Sequence, residues 1–236
     1  MTLGFIFDLD GTLLNSTDIG QIIQDKIMKK YNIEITEERK EELEALAESM
    51  FQEDYSDLLA VKIIWRLLKE VGLGFFQRVN SLLLAGKMYK KLIQELKLYD
   101  GVEEVLNFLE ENAYRYVIVT NSSKKSVVRN MQNLNHFYER HKDKIITKDD
   151  VKQMKPHPES FELAQEILKL TNEKIVVVGD TKYDILYGKA LNALTIGVLT
   201  GIYKREFLRE YDPDFIFDSV ADIPNNMEKI LEKFNS

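Results

Sequence analysis

Hydrophobic and polar positions divide the chain into three stretches of different rhythm. The first is brief: Leu3 to Phe7 is almost wholly apolar and stops at Asp8-Leu9-Asp10-Gly11-Thr12-Leu13, the pattern of a strand buried on both faces of a parallel sheet. From Asn15 to about Leu98 there is no proline, and apolar residues recur at helical spacing. Ile19, Ile22, Ile23, Ile27 and Tyr31 form one stripe; Leu58, Val61, Ile64, Trp65 and Leu68 form another. Thr36-Glu37-Glu38-Arg39 opens a charge-rich helix with Thr36 as its N-cap, and Gly72 and Gly74 precede a further helix from about Phe75 to Leu96. Four helices predict a small bundle, with Trp65 and Leu82-Leu83-Leu84 in its core.

After Asp100-Gly101 helix and strand alternate. A helix bearing Val102, Val105, Leu106 and Leu109 leads into a strand at Tyr116–Val119, and a weaker strand lies around Ile145-Ile146. A helix is predicted between those two strands, after Thr120–Ser123, and another through Phe161, Ala164 and Ile167. The strand Ile175–Val178 is followed by a helix ending near Ala190, and strands at Thr195–Val198 and Phe215–Phe217 complete the series. Such units build a parallel sheet covered on both faces. The expectation is a three-layer, Rossmann-like α/β core of residues 1–15 and 98–236, with an all-helical insertion of residues 16–97 after the first strand.

Composition narrows the class. The 236 residues are 44% hydrophobic and 30% charged, ordinary for a soluble globular protein. No apolar stretch approaches the ~20 residues that span a bilayer, and Asp8 cuts the first apolar run short of a signal peptide, which predicts a cytoplasmic protein. Zero cysteines exclude disulfides, thiolate metal sites and thiol nucleophiles. A net charge of -7 argues against nucleic-acid and anionic-membrane partners. The sequence leaves oligomeric state open.

Three apolar strands end in polar residues, and open parallel sheets bind ligands at the carboxyl ends of their strands, near the switch in strand order. Asp8 and Asp10, Thr120 and Asn121, and Asp180 and Asp184 would converge there, with Lys155 entering from the loop Lys155-Pro156-His157-Pro158. Asp8 and Asp10 lie two apart, so in extended backbone their side chains point the same way and repel one another unless a cation, a proton or a lysine compensates. Each element also has a plainer reading. Asp10-Gly11 makes a turn, Thr120-Asn121-Ser122-Ser123 serves equally as a helix N-cap, Asp180 as a helix cap and Asp184 as a first-turn acid. His157 reads as a loop side chain, and His136 and His141 as structural or solvated.

In order and spacing, these stretches resemble the four motifs of the haloacid dehalogenase-like (HAD) hydrolases: Asp8 and Asp10 the first, Thr120 the second, Lys155 the third, Asp180 and Asp184 the fourth. The insertion is similar to the helical cap of the phosphoglycolate phosphatase and beta-phosphoglucomutase subgroup, and an aspartate at position 10 is similar to its phosphatases and phosphomutases. Tyr99-Asp100-Gly101 departs from the pattern, in which proline commonly precedes the glycine. The resemblance implies a phosphatase acting on a small phosphorylated metabolite, with Asp8 as nucleophile forming an aspartyl-phosphate and Asp10 as acid and base. It also implies Mg²⁺ held by Asp8, Asp180 and the Asp10 carbonyl, with Asp184 acting through water. Lys155 would then pair with Asp8 and the phosphoryl oxygens, while Thr120 hydroxyl and Asn121 N–H hold the phosphoryl group. A phosphomutase shares all these residues, and a catalytically idle binding protein could retain the fold. Selectivity is expected from insertion loops near Phe51–Ser56 and Gly72–Phe76.

Overall fold

Phe5, Ile6 and Phe7 are buried to within a few per cent, as a strand enclosed on both faces requires. The computed structural model describes residues 3–53, 59–170 and 174–234. Strand β1 (Gly4–Phe7) is followed by helices α1 (Thr17–Tyr31), α2 (Glu37–Glu53), α3 (Leu59–Glu70) and α4 (Phe75–Leu92). The chain then runs α5 (Val102–Glu111), β2 (Arg115–Val119), α6 (Lys124–Asn130), α7 (Asn135–His141) and β3 (Ile145–Ile146). It finishes with α8 (Glu159–Leu168), β4 (Ile175–Gly179), α9 (Lys182–Ala190), β5 (Leu194–Val198), α10 (Arg205–Arg209), β6 (Phe215–Phe217) and α11 (Ile223–Lys233). Two units are resolved, Met1–Thr17 with Gln94–Ser236, and Asp18–Ile93.

In the first unit all six strands are parallel, in the order β3-β2-β1-β4-β5-β6. Strand order reverses direction between β1 and β4, the switch point at whose carboxyl ends open parallel sheets bind ligands in a crevice. Phe7 sits opposite Ile118 on one side and Val178 on the other, so Asp8, Thr120 and Asp180 all leave the sheet within two residues of that line. Alternate residues serve opposite faces. Ile6, Val117, Val119 and Val177 pack with Phe161, Ala164 and Leu168 of α8 and Tyr187 of α9. Residues of the other parity, such as Tyr116, face α5, whose Glu110 accepts a hydrogen bond from the Tyr116 hydroxyl. These two helical layers around one sheet are the Rossmann-like arrangement expected.

The helical unit buries Ile27, Leu68, Leu73 and Ala85, with Ile23, Tyr31, Ile33 and Ile64 packed against them. Thr36 accepts from Arg39 N–H at 3.3 Å, the N-cap its sequence predicts. Several expected core positions do not hold. Ile22, Val61 and Leu83 are exposed, and Trp65 is half-buried, its ring covered by the Arg78 guanidinium at 4.2 Å. Three consecutive leucines sweep ~200° of a helix, so when Ser81 and Ala85 face inward Leu83 must face out. Leu58 lies outside the described residues. The sequence reading assigns no elements to α7, α10 and α11, although Ile223, Met227 and Ile230 of α11 are buried at helical spacing. No helix among the described residues is long and apolar enough to cross a membrane.

Candidate active site

β1 places the first acid. Its ladder continues one residue past the strand, Asp8 N–H donating to Val178 O at 2.9 Å, and the backbone then coils, with Leu13 and Leu14 N–H both donating to Leu9 O. Gly11 sits in that coil at φ +90°, and a Cβ there would lie 2.5 Å from Asp180 Oδ2, so glycine is required twice over. Leu14 then pairs antiparallel with Leu98, and Tyr99 N–H donates to Leu13 O, joining the two segments that flank the helical insertion.

Lys155 brings the third motif to the first and fourth. Its Nζ donates to Asp8 Oδ1 at 2.6 Å and to Asp184 Oδ1 at 2.7 Å, with all three side chains nearly buried. The second oxygen of Asp184 caps α9, accepting from Thr181 Oγ1 at 2.6 Å and from Thr181 N–H at 3.2 Å. Thr12 Oγ1 donates to Asp180 Oδ1 at 3.0 Å. One ammonium thus bridges two carboxylates, with the buried Asp180 beside them. Burial pushes the Asp8 carboxyl up to about 7 against the opposing pull of Lys155, with Asp184 and Asp10 adding to the rise. Burial also raises Asp180 well above the carboxylate range, reinforced by Asp8 and Asp184. Burial opposes the Lys155 charge, but Asp184 and Asp8 outweigh it and hold the ammonium protonated.

β2 supplies the other side of the crevice. Thr120 is buried, and Ser123, three residues on, is the N-cap of α6, accepting from Ser126 N–H. Capping therefore accounts for Ser123 and leaves Thr120 free to face the crevice, where its hydroxyl reaches Asp10 Oδ2 at 3.4 Å. Asn121 turns its side chain to the Lys155 main chain, accepting from the N–H at 3.0 Å and donating to the carbonyl at 3.1 Å. Ser122 donates to Asp10 Oδ2 at 2.7 Å. The Asp10 carboxylate accordingly faces Thr120 and Ser122 and stands apart from the cluster of Asp8, Asp180 and Asp184. His157 Nδ1 accepts from Glu159 N–H at the start of α8, His136 is exposed, and His141 is buried beneath Phe137 and Tyr116.

Comparison with known proteins establishes the family of the chain. The family model of the haloacid dehalogenase-like hydrolases matches residues 5–198, from the first strand to the end of β5. The chain belongs to this family. Pyrophosphatase PpaX of Listeria monocytogenes is 29% identical over 228 residues, covering 92% of this chain and 93% of the relative. PpaX of Bacillus mycoides is 26% identical over 220 residues, with the same coverage. A HAD family hydrolase from Deinococcus radiodurans, solved with bound phosphate and sodium, shares the fold at TM-score 0.71 and 16% identity, over 97% of this chain and 96% of its own.

In this HAD hydrolase Asp8, Asp180 and Asp184 each offer an oxygen within 4.8 Å of the others, a hard-donor set suited to a metal ion. Burial first, and then the crowding of the carboxylates on one another, raise Asp8 and Asp180, with Lys155 opposing the rise at Asp8. A divalent cation fits these residues. Sequence reasoning missed Ser122, Thr181 and the loop after β5. There Thr200 Oγ1 donates to Gly11 O at 2.7 Å, and Gly201 packs so closely on Asp180 that no side chain fits. A hydroxyl next to a predicted site residue, Asn121 or Asp180, was the available signal for the first two.

Proposed function

We propose that the protein is a Mg²⁺-dependent phosphomonoester hydrolase that acts on a small phosphorylated metabolite through an aspartyl-phosphate on Asp8. The observation that carries this reading is Lys155 bridging Asp8 and Asp184, with Asp180 beside them and the Asp10 carboxylate turned away to Ser122 after the end of β2. Asp8, Asp180 and the Asp10 carbonyl would hold the metal, with Asp184 beside it; when bound, the ion neutralises charge on the phosphoryl oxygens. Lys155 keeps Asp8 ionised for attack and shares the load of the substrate's negative charge. An Asp8 oxygen attacks phosphorus as the bond to the leaving oxygen breaks, and Asp10 gives that oxygen a proton. Water then attacks the Asp8 phosphoryl group, Asp10 takes the water proton, and phosphate leaves. The Thr120 hydroxyl and Asn121 N–H take phosphoryl oxygens throughout.

The helical unit serves as a cap whose loops read the rest of the substrate. Of the two loops expected to do so, Phe51–Ser56 lies partly outside the described residues, whereas Phe75 and Phe76 beside Gly74 are exposed aromatic surface. The PpaX relatives make pyrophosphate the first substrate to test, since its cleavage uses the same attack with phosphate as leaving group.

The test is phosphate release from pyrophosphate, phosphoglycolate and p-nitrophenyl phosphate, with Mg²⁺ and with EDTA, followed by rapid acid quench and peptide mass analysis. Mg²⁺-dependent release with a phosphoryl group on the Asp8 peptide is expected. Equal release in EDTA refutes the metal, and transfer between sugar phosphates without phosphate release identifies a mutase.

A further inference from the structure

We infer that Ser122 is the positioning residue for Asp10, the group that keeps this carboxylate in place once the phosphoryl group has taken Thr120 from it. The inference rests on the proposed reading of Asp8 as nucleophile and Asp10 as acid and base. Among the described residues, two side chains hydrogen-bond the Asp10 carboxylate, and both do so at Oδ2: Ser122 Oγ at 2.7 Å and Thr120 Oγ1 at 3.4 Å. The first is a short, charge-assisted bond, whereas the second lies near the limit of one. Lys155 gives its contacts to Asp8 and Asp184, not to Asp10.

A hydroxyl has one proton. When Thr120 donates to a phosphoryl oxygen it can no longer donate to Asp10, so substrate binding removes the longer of the two anchors. Ser122 keeps the shorter one, and its own backbone is fixed at both ends. Its N–H donates to Thr120 Oγ1 at 3.0 Å, its carbonyl accepts from Lys148 N–H at 3.1 Å, and the next residue caps α6. The Ser122 hydroxyl is thus offered to Asp10 from a rigid point at the end of β2. Without it, Asp10 in the substrate complex has free rotation about its side chain, and proton transfer needs that carboxylate within hydrogen-bond reach of the water.

p-Nitrophenyl phosphate separates the two half-reactions. p-Nitrophenolate leaves without a proton as the Asp8–phosphorus bond forms. In the second half water bonds to phosphorus, the Asp8–phosphorus bond breaks, and the water proton must go to Asp10. Ser122→Ala is therefore expected to phosphorylate Asp8 within ~3-fold of the wild-type rate and to lose it ~10–100-fold more slowly, part of the ~10²–10⁴-fold that positioned acid–base groups supply. Its progress curve shows a burst of p-nitrophenolate followed by slow turnover, with the phosphoryl adduct found on the Asp8 peptide after quench. Ser122→Thr keeps a hydroxyl and is expected within ~3-fold of wild type, and Ser122→Cys, a weaker donor, falls between. A loss merely of local structure would slow burst and turnover together and would not follow donor strength.

Asp10→Asn is the reference that traps the adduct. An adduct in Asp10→Asn together with wild-type behaviour in Ser122→Ala overturns the inference alone, as does an equal fall in both phases that threonine does not rescue. No adduct in either Asp10→Asn or wild type overturns the reading of Asp8, and the inference with it.

Discussion

Asn121 grips the peptide group of Lys155 at both ends, its Oδ1 accepting from the Lys155 N–H at 3.0 Å and its Nδ2 donating to the Lys155 carbonyl at 3.1 Å. The asparagine side chain, 34 residues away in sequence, thereby ties the end of β2 to a loop that has no strand of its own. Lys155 reaches Asp8 from a backbone held by its neighbour, so the placement of a buried cation depends on an exposed amide.

Asn121→Ala is expected to cost ~1–2 kcal/mol of stability, the worth of two hydrogen bonds, and to lower p-nitrophenyl phosphate turnover ~10-fold as the Lys155 tip wanders. Asn121→Asp keeps only the acceptor and sets a carboxylate against a carbonyl, so it should do worse. Urea midpoints and kcat measured side by side check this; an unchanged kcat in both variants shows that the grip is dispensable.

Asp8→Asn should abolish turnover and the phosphoryl adduct together, because an amide cannot form the acyl phosphate. Lys155→Met should instead leave a residue of activity, down ~10²–10³-fold. Its larger signature is stability: the loss of the ammonium leaves Asp8 and Asp184, crowded with Asp180, without the cation that bridges them, for a cost of ~3–5 kcal/mol. Added Mg²⁺ is expected to recover part of that loss in a thermal melt. A Lys155→Met protein as stable as wild type in EDTA contradicts this account of the cluster.

Asp180→Asn puts a neutral amide where burial and the neighbouring Asp8 and Asp184 disfavour a charged carboxyl, while keeping an oxygen for the Thr12 hydroxyl. In EDTA at neutral pH the variant should therefore melt higher than wild type, by the equivalent of ~1 kcal/mol. Saturating Mg²⁺ should raise the wild-type melting temperature, by ~2.7 kcal/mol of stability at a hundredfold excess over Kd, and leave the variant unmoved. Differential scanning fluorimetry with and without Mg²⁺ distinguishes these outcomes without any substrate.

Far from the crevice residues, the buried His141 ring meets Tyr116 OH at 2.9 Å, and that hydroxyl donates to Glu110, which also binds Arg140 and Lys144. Burial holds His141 down at about 4, helped by the positive charges of Arg140 and Lys144 against the opposing Glu110. The folded state thus binds the proton later than the unfolded chain, whose histidine titrates near 6.5. Stability from this group is complete above that value and drains away as pH falls towards 4. A loss of ~1 kcal/mol between pH 7 and pH 5 is expected, and His141→Gln should flatten it. Urea titrations across that range test the sign directly.

Strand ends were legible because an apolar run that stops at carboxylates or hydroxyls carries both its burial and its termination in the same few letters, as at Phe7-Asp8 and Val119-Thr120. The division of labour within Thr120–Ser123 was not. Four residues with equivalent hydrogen-bonding chemistry become a crevice donor, a backbone clamp, a carboxylate anchor and a helix cap only through partners 3 to 112 residues distant. In the helical unit, periodicity marks which residues are apolar but not which side of a helix meets another, and Ile22, Val61 and Leu83 fell on the wrong side. The short helices α7 and α10 offered too few turns for a stripe to register, whereas the stripe of α11 was present and was not read.

The central place of β1 has a kinetic consequence. β1 is synthesised before both strands it pairs with, β2 and β4, and the bond from Thr12 to Asp180 spans 168 residues. Long-range parallel pairing is slow to nucleate, because loop closure must precede the contacts that reward it. Asp8 and its apolar strand therefore wait for β2 while the helices between are synthesised, and for β4 until after β3. The acidic cluster forms only when β4 has emerged, so the chain gains a place for a cation late in its own assembly. A divalent ion would then act as a clasp on the last long-range closure, rather than as a guide for the first.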